Sequence, residues 1–264
     1  MSDSSKTIFI KIIGCLLLLL PAVSAARATT IVAVKRAKEI FIGADSKVTD
    51  TFGNALANQA CKIVQAGSVF FAYAGFARDN QTGFSIPQIA ADALNLKPEL
   101  SVAGKTEILT GAVVEKLNVE LPLLKQNSFV TYREKIEGKT FLRVLVAGFE
   151  RGKPVLLVRQ FRLGQTADKG VGVIVSEDDC DADCKGKNVT RYLGETDAID
   201  GLPEETRDFW QQGFAAGIRK LIETEINARD EYVGPPIDIL QINARHAVWI
   251  QKKALCAAIK NYPK

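Results

Sequence analysis

An α+β fold, arranged as a four-layer αββα sandwich, is what the sequence predicts, and three observations lead there. Apolar runs with no polar alternation fill the opening of the chain beyond residue 28, two helix-period segments follow, and strands, a helix and a last strand then return. Sheets so apolar cannot leave a face in water, so two of them stack and helices cover the outside.

Taken in order, Thr30-Ile31-Val32-Ala33-Val34 and Ile40-Phe41-Ile42-Gly43-Ala44 flank the polar turn Lys35-Arg36-Ala37-Lys38-Glu39 and read as a hairpin buried on both faces. Lys62-Ile63-Val64-Gln65 and Val69-Phe70-Phe71-Ala72-Tyr73-Ala74 make a second pair across Ala66-Gly67-Ser68. Ile86, Ile89, Ala90, Ala93 and Leu94 share one helix face, as do Leu109, Ala112, Val113 and Leu117, and both helices are expected to lie on a sheet. Strands return over Phe141–Gly148 and Val155–Val158, around the turn Glu150-Arg151-Gly152-Lys153. A helix is expected from about Pro203 to about Ile226, with Phe214, Ile218, Leu221, Ile222 and Ile226 inside, and Ile237–Ile242 as the closing strand. No repeat, low-complexity tract or linker divides the chain, so residues 29–264 read as one domain.

The 264 residues, 47% of them apolar, suffice for a substantial core without metals or disulfides. The first 28 differ: Lys6 and Lys11 precede Cys15-Leu16-Leu17-Leu18-Leu19-Leu20, then come Pro21 and small residues, the layout of a secretory signal peptide. A retained anchor needs about 20 unbroken apolar residues, and Lys11 interrupts this run early. Ile12-Ile13-Gly14-Cys15 is no lipoprotein box, because the apolar run follows the cysteine. Removing residues 1–28 leaves 31 basic and 29 acidic residues, a net +2, which gives no reason to expect nucleic acid or an anionic membrane as partner. The expectation is a periplasmic or secreted protein with no stable membrane anchor.

Cys61, Cys180, Cys184 and Cys256 remain, an even number in a compartment that permits disulfides, with the pairing left open by the sequence. Cys180 and Cys184 are close enough to shut a small acidic loop. Asp179, Asp181 and Asp183 alternate there as in a calcium loop, but the glycine and terminal glutamate of that motif are missing. No metal and no cofactor is expected. Asn188-Val189-Thr190 is a glycosylation sequon of use only in a eukaryotic secretory route.

His246 is the single histidine, and without a Gly-x-Ser-x-Gly elbow it gives no support to a serine or cysteine triad. A structural or exposed role suits it better. One base needs no histidine: a newly made α-amino group, whose pKa of about 7.7 leaves much of it neutral at ordinary pH. Ala26-Arg27-Ala28 precedes Thr29 with small residues at alternate positions, so one cut after Ala28 exposes a threonine carrying nucleophile and base together. Val23-Ser24-Ala25 is an equally good site, in which case residues 26–28 form a short propeptide.

Thr29-Thr30-Ile31-Val32-Ala33-Val34-Lys35, followed by Gly43-Ala44-Asp45-Ser46-Lys47, resembles the opening of the catalytic β-type proteasome subunits and their bacterial relatives, which are N-terminal nucleophile (Ntn) hydrolases. The family's aspartate, sixteen residues after the nucleophile, falls on Asp45. Its lysine, thirty-two after, falls one short of Lys62, a difference that one inserted residue before Cys61 absorbs. Ala74-Gly75 is similar to the family's oxyanion-hole glycine, and the late aspartate would be Asp230 in Ala228-Arg229-Asp230 ahead of Gly234. Val146-Ala147-Gly148-Phe149 and Tyr192-Leu193-Gly194 continue the likeness more faintly.

The resemblance implies a threonine-type peptidase or amidohydrolase in which Thr29, Asp45, Lys62, Gly75 and Asp230 form the site. It also implies peptides or unfolded proteins as substrate and a homo-oligomeric ring. Two positions depart from the pattern: supporting serines are replaced by Val233 and by Glu195 or Thr196. Those departures motivate a rival, a non-catalytic assembly or binding subunit. A third reading is a small-molecule acyl-amide hydrolase of the same class.

Overall fold

The computed structural model describes residues 29–49, 55–57, 60–79, 81–167, 169–178, 189–202, 208–260 and 262. β1 (Thr30–Lys35) and β2 (Glu39–Ala44) form the expected hairpin, with Ile31 opposite Ala44 and Lys35 opposite Ile40. β3 (Val48–Thr49) and β4 (Ala55–Ala57) make a small two-stranded excursion. β5 (Ile63–Ala66) and β6 (Val69–Gly75) join through Gly67, whose φ of +58° suits a tight turn that a side chain would strain.

β7 (Arg78–Asp79) and β8 (Phe84–Ser85) lead into α1 (Ile86–Asn95), where Pro87 occupies a first-turn position that has no use for its missing N–H. α2 (Val102–Asn127) is capped by Ser101, whose hydroxyl accepts the Gly104 N–H at 3.0 Å, and α3 (Phe129–Lys135) follows it. The chain then runs through β9 (Thr140–Glu150), β10 (Lys153–Gln165), β11 (Val171–Glu177) and β12 (Val189–Gly194). α4 (Asp197–Asp200), α5 (Phe214–Ala228), β13 (Asp238–Asn243) and β14 (Ala247–Gln251) complete it.

Two five-stranded antiparallel sheets result, one in the order β12-β1-β2-β13-β14 and the other β11-β10-β9-β6-β5, so the fold is α+β. Apolar residues gather in three clusters. One contains Ile31, Ala33, Ile42 and Leu240 of the first sheet together with Phe70, Ala72, Leu145 and Leu156 of the second. The alternate residues Val32, Val34, Phe41 and Ile239 of the first sheet meet Ile218, Leu221 and Ile222 of α5. Phe71, Tyr73, Val144 and Val146 of the second sheet meet Leu109, Val113 and Leu117 of α2. Successive strand residues point to opposite faces, and both faces are dry here, which is why the strands read as unbroken apolar runs. Each fully buried Val, Leu, Ile or Phe contributes about 1.5–3 kcal/mol to this arrangement.

Several elements differ from the sequence reading. The helix expected from Pro203 begins at Phe214 instead, because Gly213 has φ +94° and cannot continue a helix, while Asp208–Trp210 form a separate 3-10 turn. Trp210 stacks on Phe214 with ring centroids 5.2 Å apart. Pro203 itself lies outside the described residues, as do the export segment 1–28 with both candidate cleavage sites, the acidic loop with Cys180 and Cys184, and Asn188. Ile237–Ile242 is not the last strand: β14 pairs onto β13 after a turn in which Asn243 Oδ1 accepts the N–H groups of Arg245 and His246, each at 2.9 Å. His246 is exposed on that turn. β11 and α3 have no counterpart in the sequence reading. No helix among the described residues is long and apolar enough to cross a membrane.

At Gly43 sheet and helix come close, since a Cβ there would stand 2.2 Å from Ile218 Cγ2, whereas Gly111 in α2 has open space around it. Urea unfolding should show Gly43→Ala losing about 1–3 kcal/mol through overpacking. Gly111→Ala should instead gain up to about 1 kcal/mol of helix propensity. Similar midpoints for the two variants would contradict that packing.

Candidate active site

Thr29 directly precedes β1 and is 8% exposed. Its carbonyl accepts the Glu195 N–H at 2.7 Å, and the Thr30 hydroxyl donates to Glu195 O at 2.7 Å. Gly194 makes that approach possible: with φ +88°, a Cβ on it would fall 1.8 Å from Thr29 O. Only glycine fits between these strands.

Asp45 follows β2 and is fully buried. Its Oδ1 accepts the Thr30 N–H at 2.9 Å and the Lys62 ammonium at 2.7 Å. Oδ2 accepts the Lys47 N–H at 3.0 Å and the Gly234 N–H at 3.2 Å. All four partners are donors, the set that an acceptor-only, ionised carboxylate takes. Asp45 also donates its own N–H to Thr30 O at 3.2 Å, so side chain and backbone together clamp the residue after Thr29.

Lys62 stands one residue ahead of β5 and is 3% exposed. Burial pushes its pKa below the usual 10.5, the Asp45 charge and hydrogen bond pull it back up, and Lys253 and Asp238 act as weaker lowering and raising charges. The one-residue offset from the family spacing therefore does not keep Lys62 from Asp45.

Gly75 ends β6 with φ +105°, and a Cβ there would lie 2.2 Å from Phe141 O. The end of this strand comes up beside Thr29, because the Ala74 Cβ is only 3.2 Å from where a Cβ on Gly194 would be. Asp230 is placed differently. The residue is exposed, its backbone carbonyl receives the Lys47 ammonium, and from this turn it is the Gly234 N–H that reaches Asp45.

Where serines are expected by resemblance, Val233 is wholly buried, the Glu195 carboxylate lies 3.9 Å from Arg229 Nε, and the Thr196 hydroxyl donates to Asp200 Oδ2 at 2.9 Å. A second buried ion pair, Asp238 with Lys253 at 2.8 Å, was not foreseen from the sequence. Nor was the pairing of the disulfide, which joins Cys61, the neighbour of Lys62, to Cys256 with Cα atoms 5.4 Å apart. The adjacency of Cys61 and Lys62 was the available signal, and periodicity says nothing about either.

Chemically, the cluster offers a desolvated cation and its carboxylate against the backbone of Thr29 and Thr30, beside the glycine that ends β6. No protein-family model matches the chain, and no curated protein matches it.

Breaking a buried pair from one side costs about 3–5 kcal/mol, because the remaining charge is stranded. Asp45→Ala takes the counter-charge from the Lys62 ammonium and the acceptor from three backbone N–H groups, whereas Lys62→Met leaves the carboxylate its three backbone donors. Denaturant titration should therefore rank Asp45→Ala as clearly the more damaging, and the reverse order would be inconsistent with the four-donor site.

Proposed function

We propose that the chain is an exported precursor which, once residues 1–28 are removed, acts as a threonine-type peptidase or amidohydrolase in the periplasm or outside the cell. The two sheets and their helices suit a four-layer αββα sandwich of the Ntn-hydrolase, proteasome-like kind. One observation carries the reading: a single oxygen, Asp45 Oδ1, receives both the Thr30 N–H and the Lys62 ammonium, so the ion pair is seated at the junction with Thr29.

In the processed protein the Thr29 α-amine is the general base. Thr29 Oγ attacks the substrate carbonyl carbon and its proton passes to the amine, while the Gly75 N–H stabilises the oxyanion. Collapse breaks the C–N bond, the ammonium returns the proton to the departing amine, and an ester to Oγ remains. Water, giving its proton to the same amine, then releases the acid and restores the hydroxyl. The Lys62 cation lowers the pKa values of hydroxyl and amine through its field. Peptides or unfolded proteins are the substrate class, and a homo-oligomeric ring is the assembly, by analogy with proteasome subunits.

A non-catalytic binding subunit is the second reading, favoured by the buried Val233 and by Glu195 where hydroxyls are expected. N-terminal sequencing of the exported protein separates the two. A chain beginning at Thr29 that is acylated there by a hydroxyl-directed probe, and not in Thr29→Ala, supports catalysis. A retained leader supports the subunit, and labelling that survives in Thr29→Ala rules out the assigned nucleophile. Turnover of acyl amides without peptide cleavage would narrow the activity to a small-molecule hydrolase.

The pH profile follows from burial. Lys62 is needed charged and its pKa lies below the usual 10.5, so its charge is lost at lower pH than on a free lysine. The rate should consequently fall on the alkaline side before pH 10.5, and a plateau persisting beyond that value would exclude a cationic role for Lys62.

A further inference from the structure

Lys253, two residues beyond β14, is a second buried lysine that the mechanism above does not use. Its ammonium is 2.8 Å from Asp238 Oδ2 and also donates to Ser46 Oγ and to Ala60 O. Two hydrogen-bond acceptors and one counter-charge thus surround the ammonium. Its backbone N–H donates to Asp238 Oδ1 at 2.8 Å.

The acceptors matter by position. Ser46 is the neighbour of Asp45, and Ala60 lies two residues before Lys62. Ser46 in turn donates its N–H to Gly234 O at 2.9 Å and its hydroxyl to Pro236 O, and accepts the Ala60 N–H at 2.9 Å. Gly234 is the residue that donates to Asp45 Oδ2. Segments 45–46, 60–62 and 234–236 are thus laced together around one ammonium. Cys256, whose N–H donates to Lys253 O at 3.2 Å, is bonded to Cys61 and returns covalently to the same place.

Burying an ion pair this deeply is a poor way to gain stability, since apolar residues of equal volume usually do as well or better. What a buried ammonium held by two acceptors and a counter-charge does supply is geometry, because its acceptors have to sit at fixed directions around it. We propose that Lys253, neutralised by Asp238, is a positioning residue that sets the register of residues 45–46 against 60–62 and thereby the place of the Lys62 ammonium relative to Thr29. This rests on the reading of Thr29 as nucleophile.

The test uses the processed full-length protein and a tripeptide β-lactone that acylates a hydroxyl nucleophile, with kinact and KI measured separately alongside thermal unfolding. Lys253→Met combined with Asp238→Asn removes both charges together. The expected result is unchanged cooperative melting and KI with kinact lowered about 10- to 100-fold, the scale on which small misplacements of reacting groups act. Unchanged kinact in that variant overturns the proposal while leaving the nucleophile assignment intact.

If the double variant does not fold, Lys253→Arg decides, since it keeps the charge but cannot aim donors as an ammonium does. Lowered kinact in folded Lys253→Arg supports the positioning role, and parental kinact overturns it. Loss of folding in both variants overturns it too, because Lys253 then supports the whole fold and not this site. A parent protein that is not labelled at Thr29 removes the catalytic reading itself, and the positioning role with it.

Discussion

The Asp45 carboxylate is the point on which the rest of the structure turns. It is fully buried, and it is met by donors from four separate places in the chain: Thr30, Lys47, Lys62 and Gly234. A buried charge without such partners would cost many kcal/mol, so each of those segments must arrive for the carboxylate to be tolerated at all. Thr30 opens β1, Lys62 precedes β5 and Gly234 precedes β13, which means that strands from both sheets are committed to one polar knot. Ala44, Ala72 and Ala74, small residues of the apolar cluster shared by the two sheets, lie in the strands that end beside it.

Beside this knot sits its neighbour, Asp238 with Lys253, and the two pairs together form a buried set of two positive and two negative groups. A neutral set is far easier to bury than a net charge. The Cys61–Cys256 bond adds a covalent tie across 195 residues of sequence. In the chain-entropy model a loop of that length restricts the unfolded state by about 5 kcal/mol. Polar and covalent restraints therefore converge on the short stretch from Ala60 to Lys62, which carries neither helix nor strand of its own.

Legibility in the sequence followed burial. The hairpins β1–β2, β5–β6 and β9–β10 and the helices α1 and α2 were readable because both sides of each sheet are dry and each helix shows one apolar stripe. The start of α5 was not, because Pro203 looks like a helix opener while the decisive feature is the backbone of Gly213. β14 escaped notice because it is an edge strand of five residues with Val248 and Ile250 exposed. In the site, Thr29, Asp45, Lys62 and Gly75 were legible as a spacing, and the structure joins Asp45 to Lys62 and to Thr30, the residue after Thr29, while Ala74, the neighbour of Gly75, comes up beside Gly194. Asp230 was named from the motif Ala228-Arg229-Asp230 ahead of Gly234, and the residue is exposed. Lys253 could not be read at all: in Gln251-Lys252-Lys253 it looks like a surface lysine, and its contact with Ser46 spans 207 residues.

β1 lies inside its sheet, flanked by β12 on one side and β2 on the other. Chain ends made by proteolysis commonly fray, since nothing holds their last residues. Here the carbonyl of Thr29 and both backbone groups of Thr30 are already bonded in the uncut chain. The proposed cut before Thr29 would thus swap an amide for an amine at one atom while Thr29 and Thr30 keep these bonds, a chemical unmasking of backbone already held in place.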